Sequence, residues 1–433
     1  MAHIVVIGAG IMGLATAYQA LLDGNTVEIF EAAPQAGGMA AHFNLGDFST
    51  ERFYHFICKT DTPTFALLDE LGLRAQLRWV PTTMGYFFGG KVHRWGDPIS
   101  LLRFPHLNLI EKFRYGLLAF VAVNGGAWRG LEHQDARSWI LRWCGKSGYE
   151  KMWRRLFAYK FYEFTGNISA AWIRTRMQRL GHSRRSLMQE VLGYIDGGSE
   201  TLVNALVADI TKRGGVLHLA SPVDRVECTQ NQVRGVNVHG KFIAADAVIS
   251  TVPTPFVSAM VPDLPAATRA QYDAIANIGV VCVALRLRKS VSPHFWVNIN
   301  ADGIDIPGII EFSNLRATTD HVVYVPYYMP TSHAKWQWQT DQFITEAMAC
   351  IRRINPHIGA DDLLASHAAR LRYAQPICEP GFAAKLPPVQ TPIAGLQVAD
   401  TCFYYPEDRG LAESIRLGRQ MAAHLSASCV APA

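Results

Sequence analysis

Apolar residues occupy a short β-branched run from His3 to Ile7, then change period. From Leu14 to Leu22 they recur at helical spacing, Gly24 ends that run, and Thr26 to Phe30 is extended again. This sequence of periods predicts strand, tight turn, helix, strand. Residues 62–189 read as mostly helical, with abundant Trp, Phe and Arg. A helix over residues 202–212 is closed by Gly214 and Gly215, and residues 216–252 are β-rich, with clear alternation at 232–238. Strand-like runs follow at 279–287, 308–312 and 322–328. A helix over 341–354 stops at Pro356, and the chain ends with a strand at 396–398 and a helix over about 411–425. No internal repeat or long flexible linker interrupts this order, so domains should interleave rather than follow in series.

With 433 residues, 49% of them hydrophobic, the chain can bury more than one core, which suggests two or three domains. No charged n-region, apolar h-region and cleavage site precede the first strand. The longest apolar stretch, residues 115–123, is too short to span a bilayer. Eight scattered cysteines form no CxxC pair, which fits reduced thiols better than disulfides or a metal site. The expectation is a cytoplasmic protein without metal. Charge changes the picture in one place. Between Arg137 and Arg185 there are twelve Lys/Arg against two Glu. A solvated helical face, a peripheral contact with an anionic membrane, or a phosphate-bearing substrate would each explain it. Nucleic acid is disfavoured, because no nucleic-acid motif accompanies the charge.

The chemistry-bearing signal is Gly8-Ala9-Gly10-Ile11-Met12-Gly13, placed between the first strand and helix, with Glu31-Ala32 closing the second strand. Gly8 permits the turn, Gly10 lets backbone approach a pyrophosphate, and Gly13 lets the helix pack against the sheet. The pyrophosphate meets the positive end of the helix, and Glu31 can accept hydrogen bonds from ribose hydroxyls. A second glycine pair, Gly37-Gly38, precedes Met39 and Ala40 and offers another place for backbone to lie along an extended dinucleotide.

With these residues the sequence resembles the amine oxidase, protoporphyrinogen oxidase and phytoene desaturase superfamily of FAD enzymes. Met39 stands where that superfamily commonly has Arg. The resemblance continues at Ser221-Pro222-Val223, at residues 245–253, and at Gly395 to Asp400, where Ala399 replaces the usual Gly. It ends with Arg409-Gly410-Leu411-Ala412-Glu413-Ser414-Ile415, then Gly418 and Arg419. It implies noncovalent FAD held by Gly8 to Gly13, Glu31, Ala32, Gly37, Gly38, Met39, Ala40, Phe53, Tyr54, Val223, Asp400, Gly410, Leu411 and Ser414. It also implies an α/β fold. A Rossmann-type FAD domain would be assembled from residues 1–60, 190–255 and 385–430. A helical insertion (61–189) and a sheet-bearing segment (256–384) would form the substrate side.

Catalytic candidates rest on the same resemblance. The segment Phe48 to Phe56 corresponds to one that passes beside the flavin, although Glu51 and Arg52 depart from its usual Asp and Gly. Within it His55 could polarise the ring or shuttle a proton, and it resembles a His of UDP-galactopyranose mutases. Tyr373 and Tyr404 are candidates to orient substrate. The expected activity is dehydrogenation of a bulky, partly apolar substrate (an isoprenoid, porphyrinogen or amine) by hydride transfer to FAD. No second dinucleotide fingerprint is present, so oxygen, a quinone or another acceptor would reoxidise the flavin. The alternatives are redox-neutral chemistry on an activated sugar and a flavin-binding partner protein without catalysis.

Overall fold

The computed structural model describes residues 1–430, with side chains described up to residue 425. Its nucleotide end is a five-stranded parallel sheet in the order Val216–His218, Thr26–Phe30, His3–Ile7, Ala247–Ser250, Leu396–Val398. The chain thus visits this sheet early, in the middle and near its end. Alternation within the first strand explains why the sheet is covered twice. Ile4 and Val6 point into a cluster shared with the helices Ile11–Leu22, Ser199–Lys212 and Leu411–Val430. Val5 and Ile7 point the other way, toward a three-stranded meander of Val223–Thr229, Gln232–Val238 and Lys241–Ala244.

A seven-stranded sheet forms the other half of the molecule, with Asn277–Leu287 paired antiparallel to both His321–Met329 and Leu363–Pro376. The helix Thr340–Ile354 buries Phe343, Ala347 and Ile351 against this sheet. Two of its strands correct the expectation that residues 62–189 are mostly helical. Met84–Phe88 and Lys91–Trp95 form its edge hairpin, and Leu77–Thr82 pairs with Gln189–Ile195. The hairpin signal was the Gly89-Gly90 pair between two aromatic runs. Both glycines take positive φ (58° and 77°), the conformation a tight hairpin turn requires. The strands Trp296–Asn300 and Leu363–Pro376 were likewise unread, while the helices from Pro98–Arg103 to Ala170–His182 agree with the pattern.

The closing helix reaches the nucleotide helix because residue 418 has no side chain. A Cβ there would lie 2.4 Å from the Met12 carbonyl oxygen and 3.0 Å from the Thr16 hydroxyl. The long-range pair Arg419 Nε to Gln19 Oε1, at 2.8 Å, fixes the same crossing. Gly418→Ala should therefore destabilise the fold by about 1–3 kcal/mol, the usual cost of overpacking. A lower urea midpoint with unchanged slope is the expected result; an unchanged midpoint would show that the helices separate freely.

Candidate flavin site

The glycine turn stands at the carboxyl end of the first strand, where ligands of such sheets bind. Gly8 has φ of 100°, and a Cβ on Gly13 would sit 1.9 Å from the Gly8 carbonyl oxygen. The turn and helix are therefore in direct contact. At Gly10 the opposite holds: a Cβ would meet nothing within 4 Å, so the backbone faces open space. The first intrahelical bond runs from Leu14 N–H to the Gly10 carbonyl, and no side chain caps this end. The first-turn N–H groups are thus free of intrahelical acceptors and aimed at an anion.

Glu31 holds this turn by two bonds. Its carboxylate accepts the Ala9 N–H at 2.7 Å and the Ala33 N–H at 2.8 Å. The second glycine turn closes on the first through Gly37 N–H to the Ala9 carbonyl, 2.8 Å. At the far side, Ser221 N–H donates to the Glu31 carbonyl and Ala220 N–H to that of Ala33, which brings Val223 toward this end of the sheet. Ala32 is exposed, Met39 is half-buried, and the buried Ala40 accepts a bond from the Ser199 hydroxyl. An open Gly10, an uncapped helix and a preformed acidic clamp fit a dinucleotide diphosphate and its ribose.

Asp400 is buried, and its carboxylate accepts the Thr254 N–H at 2.6 Å and the Cys402 N–H at 2.8 Å. It ties the loop after Ala247–Ser250 to the loop after the last strand. Gly410 and Leu411 start the closing helix, and the Ser414 hydroxyl bonds both the Gly410 carbonyl and the Tyr404 hydroxyl, each at 2.8 Å. A 170 Å³ cleft adjoins this helix start, lined by Asp61, Arg179, Glu407, Asp408 and Glu413 among others. A larger groove, beside Met1, Asn25 and Asp246, lies at the opposite end of the parallel strands.

Tyr404 does not wall a cavity. Its ring is 2% exposed and packs in the core around the nucleotide helix, so the expected substrate role is corrected to a structural one. Tyr373 is half-buried and meets the exposed Phe256 edge-on at 5.2 Å. Phe53 is half-buried where two apolar clusters meet. Tyr54 sits edge-on to Trp296 at 5.5 Å, and burial raises its phenol pKa far above the ordinary value. His55 Nδ1 is buried without a partner, and burial lowers the pKa of the ring to about 4. The imidazole is accordingly neutral near pH 7. The departure at Glu51 has a local explanation. Its carboxylate accepts the Ser199 N–H at 3.2 Å at the start of a helix and meets Arg316 at 3.4 Å.

Lys160 and Tyr328, neither singled out in the sequence, gather with Arg409 next to this segment. The Lys160 ammonium lies 5.0 Å above the Tyr328 ring, and Arg409 Nη2 is 3.3 Å from the Tyr328 hydroxyl. Arg176 pairs with Asp408 at 3.2 Å. Among the described residues no carboxylate lies within ion-pair distance of Lys160, and burial, with Arg176 beside it, pushes its pKa well down. No spacing in the sequence announces this set, because its members come from a helix of the insertion, a strand of the large sheet and the loop before the closing helix.

The family model for flavin-containing amine oxidoreductases matches residues 11–401. The chain belongs to this family. It is an FAD-dependent oxidoreductase. Among solved structures, cyclohexylamine oxidase from Brevibacterium oxydans superposes with a TM-score of 0.74 at 16% identity, over 99% of each chain. An oxidoreductase from Methanosarcina mazei gives 0.72 at 18%, over 98% of this chain and 100% of its own. A reduced UDP-galactopyranose mutase gives 0.75 at 14%, over 99% and 94%. At such identities the likeness is one of fold. No curated protein matches the chain by sequence. In this member of the family the glycine turns, Glu31 and the uncapped helix are the groups that would hold FAD.

Gly10→Val would fill the open space that the diphosphate needs. The purified variant should carry little flavin yet unfold at nearly the native temperature. Asp400→Ala should weaken FAD binding by roughly ten- to a hundredfold, since a charge-assisted hydrogen bond contributes about 1.5–3 kcal/mol. Native flavin content and affinity in both variants would refute this placement of the cofactor.

Proposed function

We propose that the enzyme dehydrogenates a bulky, partly apolar organic substrate beside Tyr54 and Tyr328. The Lys160 amine takes the proton of the substrate O–H, N–H or C–H that neighbours the C–H bond to be oxidised. Bound FAD supplies the two-electron acceptor, which protein side chains cannot. The observation that carries the reading is the partnerless Lys160 over the Tyr328 ring, in surroundings that favour its neutral form. A lysine with a lowered pKa is a competent proton acceptor. Arg409 orients the Tyr328 hydroxyl, and neutral His55 contributes shape and a hydrogen bond rather than charge. The aromatic rings nearby, including Phe161 and Trp296, favour a substrate with substantial apolar surface.

Anaerobic bleaching of the flavin by candidate substrates tests this directly, with cyclohexylamine and a reduced porphyrin as first probes. Lys160→Met should keep its flavin but slow reduction by about 10²–10⁴-fold, the usual contribution of a general base. The native rate should rise with pH as the ammonium loses its proton, and the variant should lack that limb. An unaltered rate and pH profile in Lys160→Met would remove Lys160 from the chemistry. Turnover of a sugar nucleotide without net bleaching would replace oxidation by a redox-neutral rearrangement.

A further inference from the structure

The basic stretch between Arg137 and Arg185 is not one solvated face. Arg154 pairs with Glu150, Arg155 with Asp302, Lys151 with Glu111, Arg176 with Asp408 and Arg179 with Asp61. Arg174 is buried and donates to the carbonyls of Ala122 and Gly125. Six of the twelve cations thus have partners within the molecule. The unexplained surface lies next to this stretch and is apolar.

On the helix Leu109–Asn124, the side chains of Leu109, Ile110, Phe113, Leu117 and Phe120 are all exposed, Phe113 by 73%. At 100° per residue these positions fall on one stripe of the helix, while Leu118 and Ala122 face the core. The short helix Pro98–Arg103 packs alongside, with Leu101 3.7 Å from the Cβ position of Gly116, and it adds exposed Ile99 and Leu102. A third element joins them. Arg184 donates to the Gly96 carbonyl, and Gly181 lies against Val123, which brings the turn carrying exposed Leu187 and Met188 to the same side. Large exposed apolar side chains gathered in this way mark an interaction surface rather than ordinary scatter.

Charge identifies the occupant. Arg103, Lys112, Arg184 and Arg185 stand among these apolar residues. In residues 98–124 and 183–188 the sole acidic residue is Glu111, which is buried, capping its helix and paired with Lys151. A second copy of the chain docked here about a two-fold axis would set cations against cations. Anionic lipid headgroups would neutralise them, while the apolar stripe enters the acyl boundary. Among the described residues no helix is long and apolar enough to cross a membrane, so the attachment is interfacial.

We propose that the face formed by Pro98–Arg103, Leu109–Asn124 and the Leu187-Met188 turn seats the enzyme on an anionic membrane surface. The flavin-loaded protein should sediment with phosphatidylcholine–phosphatidylglycerol vesicles and poorly with phosphatidylcholine alone. Phe113→Glu combined with Phe120→Glu should cut partitioning by roughly tenfold or more, because it places charge on the inserted face. Both sites are solvent-exposed, so flavin content and unfolding temperature should stay native, and that control separates lost docking from misfolding. Lys112→Glu with Arg185→Glu should abolish the preference for anionic vesicles and its salt sensitivity. Native protein that stays in the supernatant with both vesicles overturns the proposal. So does undiminished binding by the Phe variant, or a vesicle-free dimer that the Phe variant dissociates, which would assign the face to a second copy.

Discussion

A single methyl group at position 13 would stand 1.9 Å from the Gly8 carbonyl, and the nucleotide end is built around the absence of that group. Contact between turn and helix brings the helix start to the sheet edge, where its free N–H groups face the open side of Gly10. Glu31 then braces the turn from the second strand, and the Gly37 N–H closes the next turn onto Ala9. Loss of the close approach would move the helix outward, and the closing helix that packs on it through Gly418 would lose its seat. Cofactor site and core packing are therefore the same construction at this end of the molecule.

Away from the sheet, several buried charges meet opposite charges from distant segments. Glu51 faces Arg316 and a helix N-terminus, and Asp61 takes a bidentate grip from Arg179 at 3.0 and 2.6 Å. Such pairs contribute little net stability, because desolvation offsets much of the attraction, but removing one partner leaves an uncompensated charge. The Arg176–Asp408 pair likewise ties the insertion to the loop before the closing helix. Lys160 differs from them. Among the described residues it has no carboxylate within ion-pair distance, and its ammonium lies over the Tyr328 ring instead.

Asp400 and Tyr404 illustrate how a residue can sit in a cofactor motif and still serve the scaffold. The Asp400 carboxylate is engaged by two backbone N–H groups that join the mid-chain loop to the C-terminal one. Tyr404, only a few residues on, turns its ring into the core and bonds Ser414 at the start of the closing helix. Both help set where that helix begins, and the helix start is what the cleft beside Asp408 and Glu413 depends on.

Much of the nucleotide end was legible in the sequence because its determinants are local. A period of two beside a period of 3.6, glycines at fixed spacing and an acid at a strand end specify turn, helix and clamp within about thirty residues. The return of the chain to this sheet at residues 247–250 and 396–398 was also readable, through motifs that match a family. The Gly89-Gly90 hairpin was local too, but the helical pattern around it outweighed its signal. Only the tertiary structure could decide which arginines of the basic stretch are spent on Asp61, Asp302 and Asp408, since those partners lie far away in sequence. The same holds for Lys160 above Tyr328 and for the exposed side of the helix Leu109–Asn124. Burial, partnering and pKa depend on what packs around a side chain. A one-dimensional pattern records what a residue is, and only the folded chain determines which neighbours it meets.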